Sequence, residues 1–274
     1  MQELQITKIK PSGAWITLDL AELWAYRELL YFLTWRDIQV RYKQTAIGIA
    51  WAVLQPVLTT AIFTILFSTF ARFNTDDIPY PMFALSGLMI WLFVHNAISM
   101  ASNSFVANTN MITKVYFPRL IVPLAATFAG IFDFVFGFAI LVIMMIYYGM
   151  GVTWQLALTP VFLFLAIMQT AAFGTLFSAL NVRFRDVKFA LPFLLQVWMI
   201  ASPVFYPANL LSEKWRLVFA INPLVGILEG FRSSLFGTRF DWQLIGVSSV
   251  SVLVLTLFSL FVFKRMEDKF ADII

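Results

Sequence analysis

Long, nearly uncharged apolar runs constrain this chain more than any other feature. They are Ala46 to Phe70, Tyr80 to Met100, Ile121 to Tyr148, Trp154 to Leu180, Phe189 to Phe205 and Trp242 to Phe263. Crossing the bilayer core takes about 20 mostly apolar residues in a helix. The expected fold class is therefore an all-α polytopic membrane protein with six transmembrane helices. A water-soluble domain is excluded by the same residues: only 12% of the chain is charged, against about 25% in a soluble protein. Before the first run no basic-then-apolar block with a small-residue cleavage site occurs, so no cleaved leader is expected. The organisation reads as a cytoplasmic N-terminal segment over 1–45, a membrane domain over 46–263 and a cytoplasmic tail over 264–274.

Lys and Arg in the flanks orient these spans. With the N-terminus inside, 14 of the 19 basic residues fall on the cytoplasmic side, which is the bias that positive-inside insertion demands. Both termini are then cytoplasmic. The net charge of +4 is a signal of topology and calls for no nucleic-acid partner.

Chemistry inside the membrane needs paired ionisable groups or a metal. There is no cysteine and one histidine, His95, so neither a thiol nucleophile nor a metal site is expected. Asp133 is the one acid within the six runs. Burying it costs about 2.5–3.5 kcal/mol, so it either bonds to a neighbouring helix or faces a wet transport path. His95 either bonds across helices or takes part in proton coupling. No GxxxxGK[ST] phosphate loop is present, so ATP hydrolysis by that mechanism has to come from a partner.

Aromatic residues make 17% of the chain. Phe63, Phe67 and Phe70 share one face of the first span, and Phe189 and Phe193 share one face of the fifth. Such stripes either pack against lipid and helices or line a wide path on which sugar rings could slide. Tyr80, Tyr147, Tyr148, Trp154 and Trp242 sit where interfacial belts form.

Three polar segments complete the pattern. Asp19-Leu20-Ala21-Glu22 has capping-box spacing, which predicts a surface helix that bends into the first span after Gly48 or near Pro56. After Ser99 the chain leaves the bilayer and reaches Met111-Ile112-Thr113-Lys114-Val115-Tyr116-Phe117. That segment exposes apolar groups to water, as a docking helix does or as a helix lying on lipid does. On the outer side, 207–240 reads as two short helices, Glu213 to Ile221 and Leu224 to Phe236, broken at Asn222-Pro223. The Gly226/Gly230 spacing permits close helix approach, or is a chance pair.

Taken together, Arg41-Tyr42-Lys43-Gln44-Thr45 with Gly48, Trp51 and Pro56, then Gly87 with Trp91, the Lys114-x-x-Phe117-Pro118-Arg119 core, Arg185-Asp186-Val187, Ser202-Pro203-Val204-Phe205-Tyr206-Pro207, and Asn222-Pro223 with Phe231-Arg232 resemble the ABC type-2 permeases that export bacterial polysaccharides: the O-antigen, capsule and teichoic-acid exporters. The likeness runs from about Tyr26 to Phe263. It implies a permease subunit of the cytoplasmic membrane with no catalytic site. This subunit would pair with itself and with two copies of an ATPase that holds ATP and magnesium. It implies an interface helix over Leu29 to Tyr42, a coupling helix over about 105–117 that offers Met111, Ile112, Lys114, Val115 and Phe117 to the ATPase, and a re-entrant outer hairpin. The implied substrate is a lipid-linked glycan on a polyprenyl diphosphate. Arg41, Lys43 and Arg119 would capture that diphosphate, or serve only as membrane anchors; Phe63, Phe67, Phe70, Phe189 and Phe193 would line the path. Within transport, the alternative is export of a small amphiphile. From another class, a membrane enzyme acting on lipid-linked sugars would need the acid cluster that Asp133 alone does not provide.

Overall fold

The computed structural model describes residues 20–43, 45, 47–70, 78–210, 213–267 and 270, and all structural statements refer to these. They form helices and connecting loops without strands. Two helices precede the membrane bundle, α1 (Leu20–Ala25) and α2 (Arg27–Tyr42), separated at Tyr26. The chain then turns at Gly48, whose φ of 59° suits a residue without a Cβ. The turn is closed by the Gly48 amide donating to Thr45 Oγ1 at 3.0 Å. Helix α3 (Ala50–Phe70) follows with Pro56 inside it.

Helix α4 (Tyr80–Ala107) is the axis of the fold, buried along most of its length. It continues past Met100, where the first polar residues had suggested an exit from the bilayer. Short α5 (Thr109–Lys114) crosses the end of α4, and α6 (Ile121–Tyr147) and α7 (Thr159–Arg183) pack on α4. Small residues allow this approach: Gly130 of α6 lies against Ala97 and Phe93, and Gly174 of α7 against Ala101. Helix α8 (Val187–Ile200), α9 (Glu213–Phe219), α10 (Pro223–Phe236) and α11 (Trp242–Glu267) complete the bundle.

Five of the described helices, α3, α4, α6, α7 with its leading turn, and α11, are long and apolar enough to cross a membrane. The expected fifth span is different. Phe189 to Phe205 is not one helix: α8 has 14 residues, about 21 Å, short of the roughly 30 Å hydrocarbon core. Ser202 precedes Pro203, which disfavours helix at the preceding residue, and the chain runs on to Tyr206 as turns and bends.

The segment after it forms the expected pair of helices. Asn222 caps α10, its Oδ1 accepting from the Leu224 amide at 3.2 Å. Asp241 caps α11 by accepting from the Gln243 and Leu244 amides, each at 3.1 Å, and pairs with Arg216 of α9 at 2.7 Å. Helix α10 is buried from Pro223 to Leu228 and again around Phe231, so it enters the bundle rather than lying on it.

Candidate functional site

The bundle ends that carry α2, α5 and the last turn of α11 share an apolar cluster of Leu33, Phe105, Ile112, Phe117, Leu120, Phe263 and Phe270. This corrects the expectation that the whole Met111–Phe117 segment presents apolar groups outward. Ile112 is buried, and so is Phe117, which is 3% exposed. One helical turn followed by extended backbone at Val115 (φ −130°, ψ 134°) turns these two side chains inward. The outward surface is Thr113, Lys114, Val115 and Tyr116, with Met111 partly buried against the cluster. The Tyr116 hydroxyl donates to Glu22 Oε1 at 3.3 Å; partial burial, and then the Glu22 charge, push that phenol's pKa up. Behind the segment, Arg119 Nη1 donates to the backbone carbonyl of Glu267.

A second polar centre joins α2 to α6. Arg41 Nη1 donates to Asp133 Oδ2 and the Tyr42 hydroxyl donates to Asp133 Oδ1. The one acid within the six apolar runs is thus answered by a cation and a phenol from the helix that precedes the first span. Burial first, and Asp133 second, hold the Tyr42 phenol up at about 12, so it remains a neutral donor. These groups open on a 360 Å³ cavity lined by Trp51, Gln55, Asn96 and Ser99. Among the described residues His95 bonds along its own helix, to Asn96 Oδ1 at 3.3 Å, and not across helices. Lys43 is exposed.

The aromatic positions divide into two groups. Phe63 and Phe67 stack on each other at 5.7 Å and pack on Phe205 at 5.1 and 5.2 Å, while the Tyr80 hydroxyl donates to the Phe205 carbonyl at 2.9 Å. They tie α3 to the start of α4 and the loop after α8. Phe189 and Phe193 instead point away from the chain's own core, at 73% and 66% exposed. The side chain of Phe70 lies outside the described residues.

Near the other end of the bundle, Arg232 of α10 is buried. Its Nη1 donates to the Pro203 carbonyl at 2.7 Å and its Nη2 to the Val204 carbonyl at 2.6 Å. The guanidinium lies 3.7 Å from the Phe83 ring centre and 3.7 Å from Glu229 Oε1. A Cβ at Gly87 would fall onto the Val204 carbonyl and this guanidinium. Asn222 accepts from Trp198 Nε1 at 2.9 Å and donates to Ser202 Oγ at 2.8 Å. Carbonyls released where α8 ends are thereby satisfied by a charged donor, as a buried backbone break requires. Gly87, Ser202–Pro207, Asn222-Pro223 and Phe231-Arg232, far apart in sequence, are one construction.

The ABC-2 type transporter profile matches residues 28–236. The chain belongs to the ABC-2 type transporter family. Curated relatives match almost end to end. An O-antigen export system permease protein, RfbA of Myxococcus xanthus, is 28% identical over 92% of this chain and 97% of its own. RfbA of Klebsiella pneumoniae is 25% identical over 90% and 95%, and the polysialic acid transport protein KpsM of Escherichia coli is 25% identical over 83% and 87%. As an ABC-2 type transporter the chain is a multi-pass membrane protein, and the matched region takes in α2 through α10. Sequence reading of this ABC-2 transporter missed two pairings: Arg41 with Asp133, and Arg232 with the carbonyls after α8. An intramembrane acid is a signal for the first, and the Glu229/Arg232 pair in a glycine-spaced, largely apolar helix is a signal for the second.

Proposed function

We propose that this chain is the channel-forming subunit of an ABC exporter that moves a lipid-linked polysaccharide outward across the bacterial cytoplasmic membrane. Similarity over 83–92% of the chain to permeases named for O-antigen and polysialic acid export carries this reading. Two copies pair with each other and with two copies of a separate ATPase, which binds ATP and magnesium; the chain itself performs no chemistry. Both termini are cytoplasmic, α2 lies along the inner surface as the interface helix, α8 with its following segment makes the fifth of six crossings, and α9 and α10 form the re-entrant outer hairpin. Lys114, Val115 and Tyr116 dock the ATPase, helped by Met111, while Ile112 and Phe117 hold that surface from beneath. Phe189 and Phe193 line the path on the side along which the carrier's apolar tail runs, with Phe63 and Phe67 bracing it. Lys43 stands at the inner surface where the diphosphate arrives, and Arg41 and Arg119 frame that region from their internal contacts.

The test is a strain lacking this chain: lipid-linked glycan should accumulate on the inner leaflet, and restoring the chain with its ATPase should clear it. Normal glycan at the surface, together with sensitivity to a small amphiphile, would instead make it an exporter of such molecules.

A further inference from the structure

Resting on the reading of this chain as an exporter of a lipid-linked glycan, we infer that the cleft between the ends of α4 and α7 and the start of α8 binds the diphosphate of the lipid carrier, with Arg185 and Lys188 as its cationic groups. The cleft measures 400 Å³, and its polar wall is Asn103, Thr109, Asn181, Arg185 and Lys188. Its floor is built by the fold. Asn181 is buried, and its Nδ2 donates to the Ser102 carbonyl at 2.9 Å and to Asn103 Oδ1 at 3.3 Å. Neither Arg185 nor Lys188 has an ion-pair partner among the described residues, whereas Arg41 is held by Asp133. Arg183 precedes them in the chain, its guanidinium 5.2 Å from the Phe184 ring centre, and Asp186 is the single carboxylate in the Arg183–Lys188 segment. Uncommitted charge facing a built cavity calls for an anion, and guanidinium meets phosphate oxygens two at a time.

A second observation says what else that anion carries. Phe189, Phe193, Val197 and Ile200 are all exposed and share one face of α8, at i, i+4, i+8 and i+11. This apolar face runs away from the cleft. The Lys188 ammonium sits 4.9 Å from the Phe189 ring centre, at the join between charged and apolar parts. A small phosphate fits only the first part; an anionic head on a long apolar tail fits both. Thr109, in the cleft wall, is also the first residue of α5, so an occupied cleft touches the element proposed to dock the ATPase.

Farnesyl diphosphate is the probe, measured by radioligand binding to the full chain with its partner ATPase in phosphatidylcholine nanodiscs. Arg185→Gln with Lys188→Gln should weaken binding about tenfold or more, equivalent to about 1.4 kcal/mol. The charge-keeping pair Arg185→Lys with Lys188→Arg should stay within about threefold of the parent, and Lys188→Gln alone, a change of one exposed side chain, should show a smaller loss of the same sign. Farnesol should not compete, and enrichment of the nanodisc in phosphatidylglycerol should leave binding within about twofold. Equal binding by the parent and the Gln pair overturns the site while leaving the substrate class intact. Absence of saturable binding by the parent removes the lipid-diphosphate reading itself. Full displacement by phosphatidylglycerol overturns the proposal in favour of a phospholipid headgroup site.

Discussion

Arg232 shows how one residue can organise a membrane fold. The carbonyls of Pro203 and Val204 lose their helical partners where α8 stops, and in an apolar interior each unsatisfied group costs several kcal/mol. The guanidinium supplies both donors. Replacing it with Gln should therefore destabilise the purified protein by about 3–5 kcal/mol, because the two buried carbonyls lose their charged donor and the part-buried Glu229 loses its cation. The paired change Glu229→Gln with Arg232→Gln should recover part of that loss, which thermal melting in detergent would measure; an unchanged melting curve for Arg232→Gln would refute the clamp. Asp133 poses the same question at the other end. Its oxygens are taken by Arg41 and Tyr42, the geometry of a structural pair rather than of a free proton carrier. Asp133→Asn should lower the melting temperature yet leave the pH dependence of export parallel to that of the parent, and exchanging the charges at positions 41 and 133 should restore stability in part.

At the scale of elements, α5 and α8 are the informative ones. The two sides of α5 separate packing from docking. Ile112→Ala should cost about 2–5 kcal/mol as a core truncation, seen as reduced yield and melting temperature. Val115→Asp or Tyr116→Asp should preserve both while abolishing export and its coupling to ATP hydrolysis. Equal export by Tyr116→Asp and the parent would show that the exposed side, with Tyr116 at 69%, docks nothing. For α8, the cysteine-free chain is a clean background: Phe189→Cys and Phe193→Cys should react with a water-soluble thiol reagent when ATP and glycan are supplied. Phe63→Cys and Phe67→Cys, enclosed by Phe205 and Tyr80, should react far more slowly. Labelling of Phe193→Cys only by lipid-phase reagents would assign that face to lipid.

For the whole molecule, topology is the testable property: Val152→Cys, in the exposed turn before α7, should be labelled from outside intact cells, and Lys114→Cys only after permeabilisation. The all-helical class, most of the spans, the break at Asn222-Pro223 and the family were legible in the sequence, because hydrophobic length, positive flanks and proline rules act locally and act alike in any chain. Gly226 and Gly230 were legible as a spacing, but their partners were not: a Cβ at the first would meet Ser248 of α11, and at the second Phe162 of α7. The fifth span failed as a continuous helix because an apolar run reports solubility in lipid and not whether backbone bonds continue through Pro203. Likewise Ile112 and Phe117 were expected outside, since exposure in a short polar-flanked segment depends on which helices close over it. Local physics in the sequence decided which segments are long and apolar enough to cross a membrane. Tertiary structure alone decided which buried charge meets which carbonyl or carboxylate, because those pairings join residues such as Gly87, Val204 and Arg232 whose proximity exists only after the helices pack.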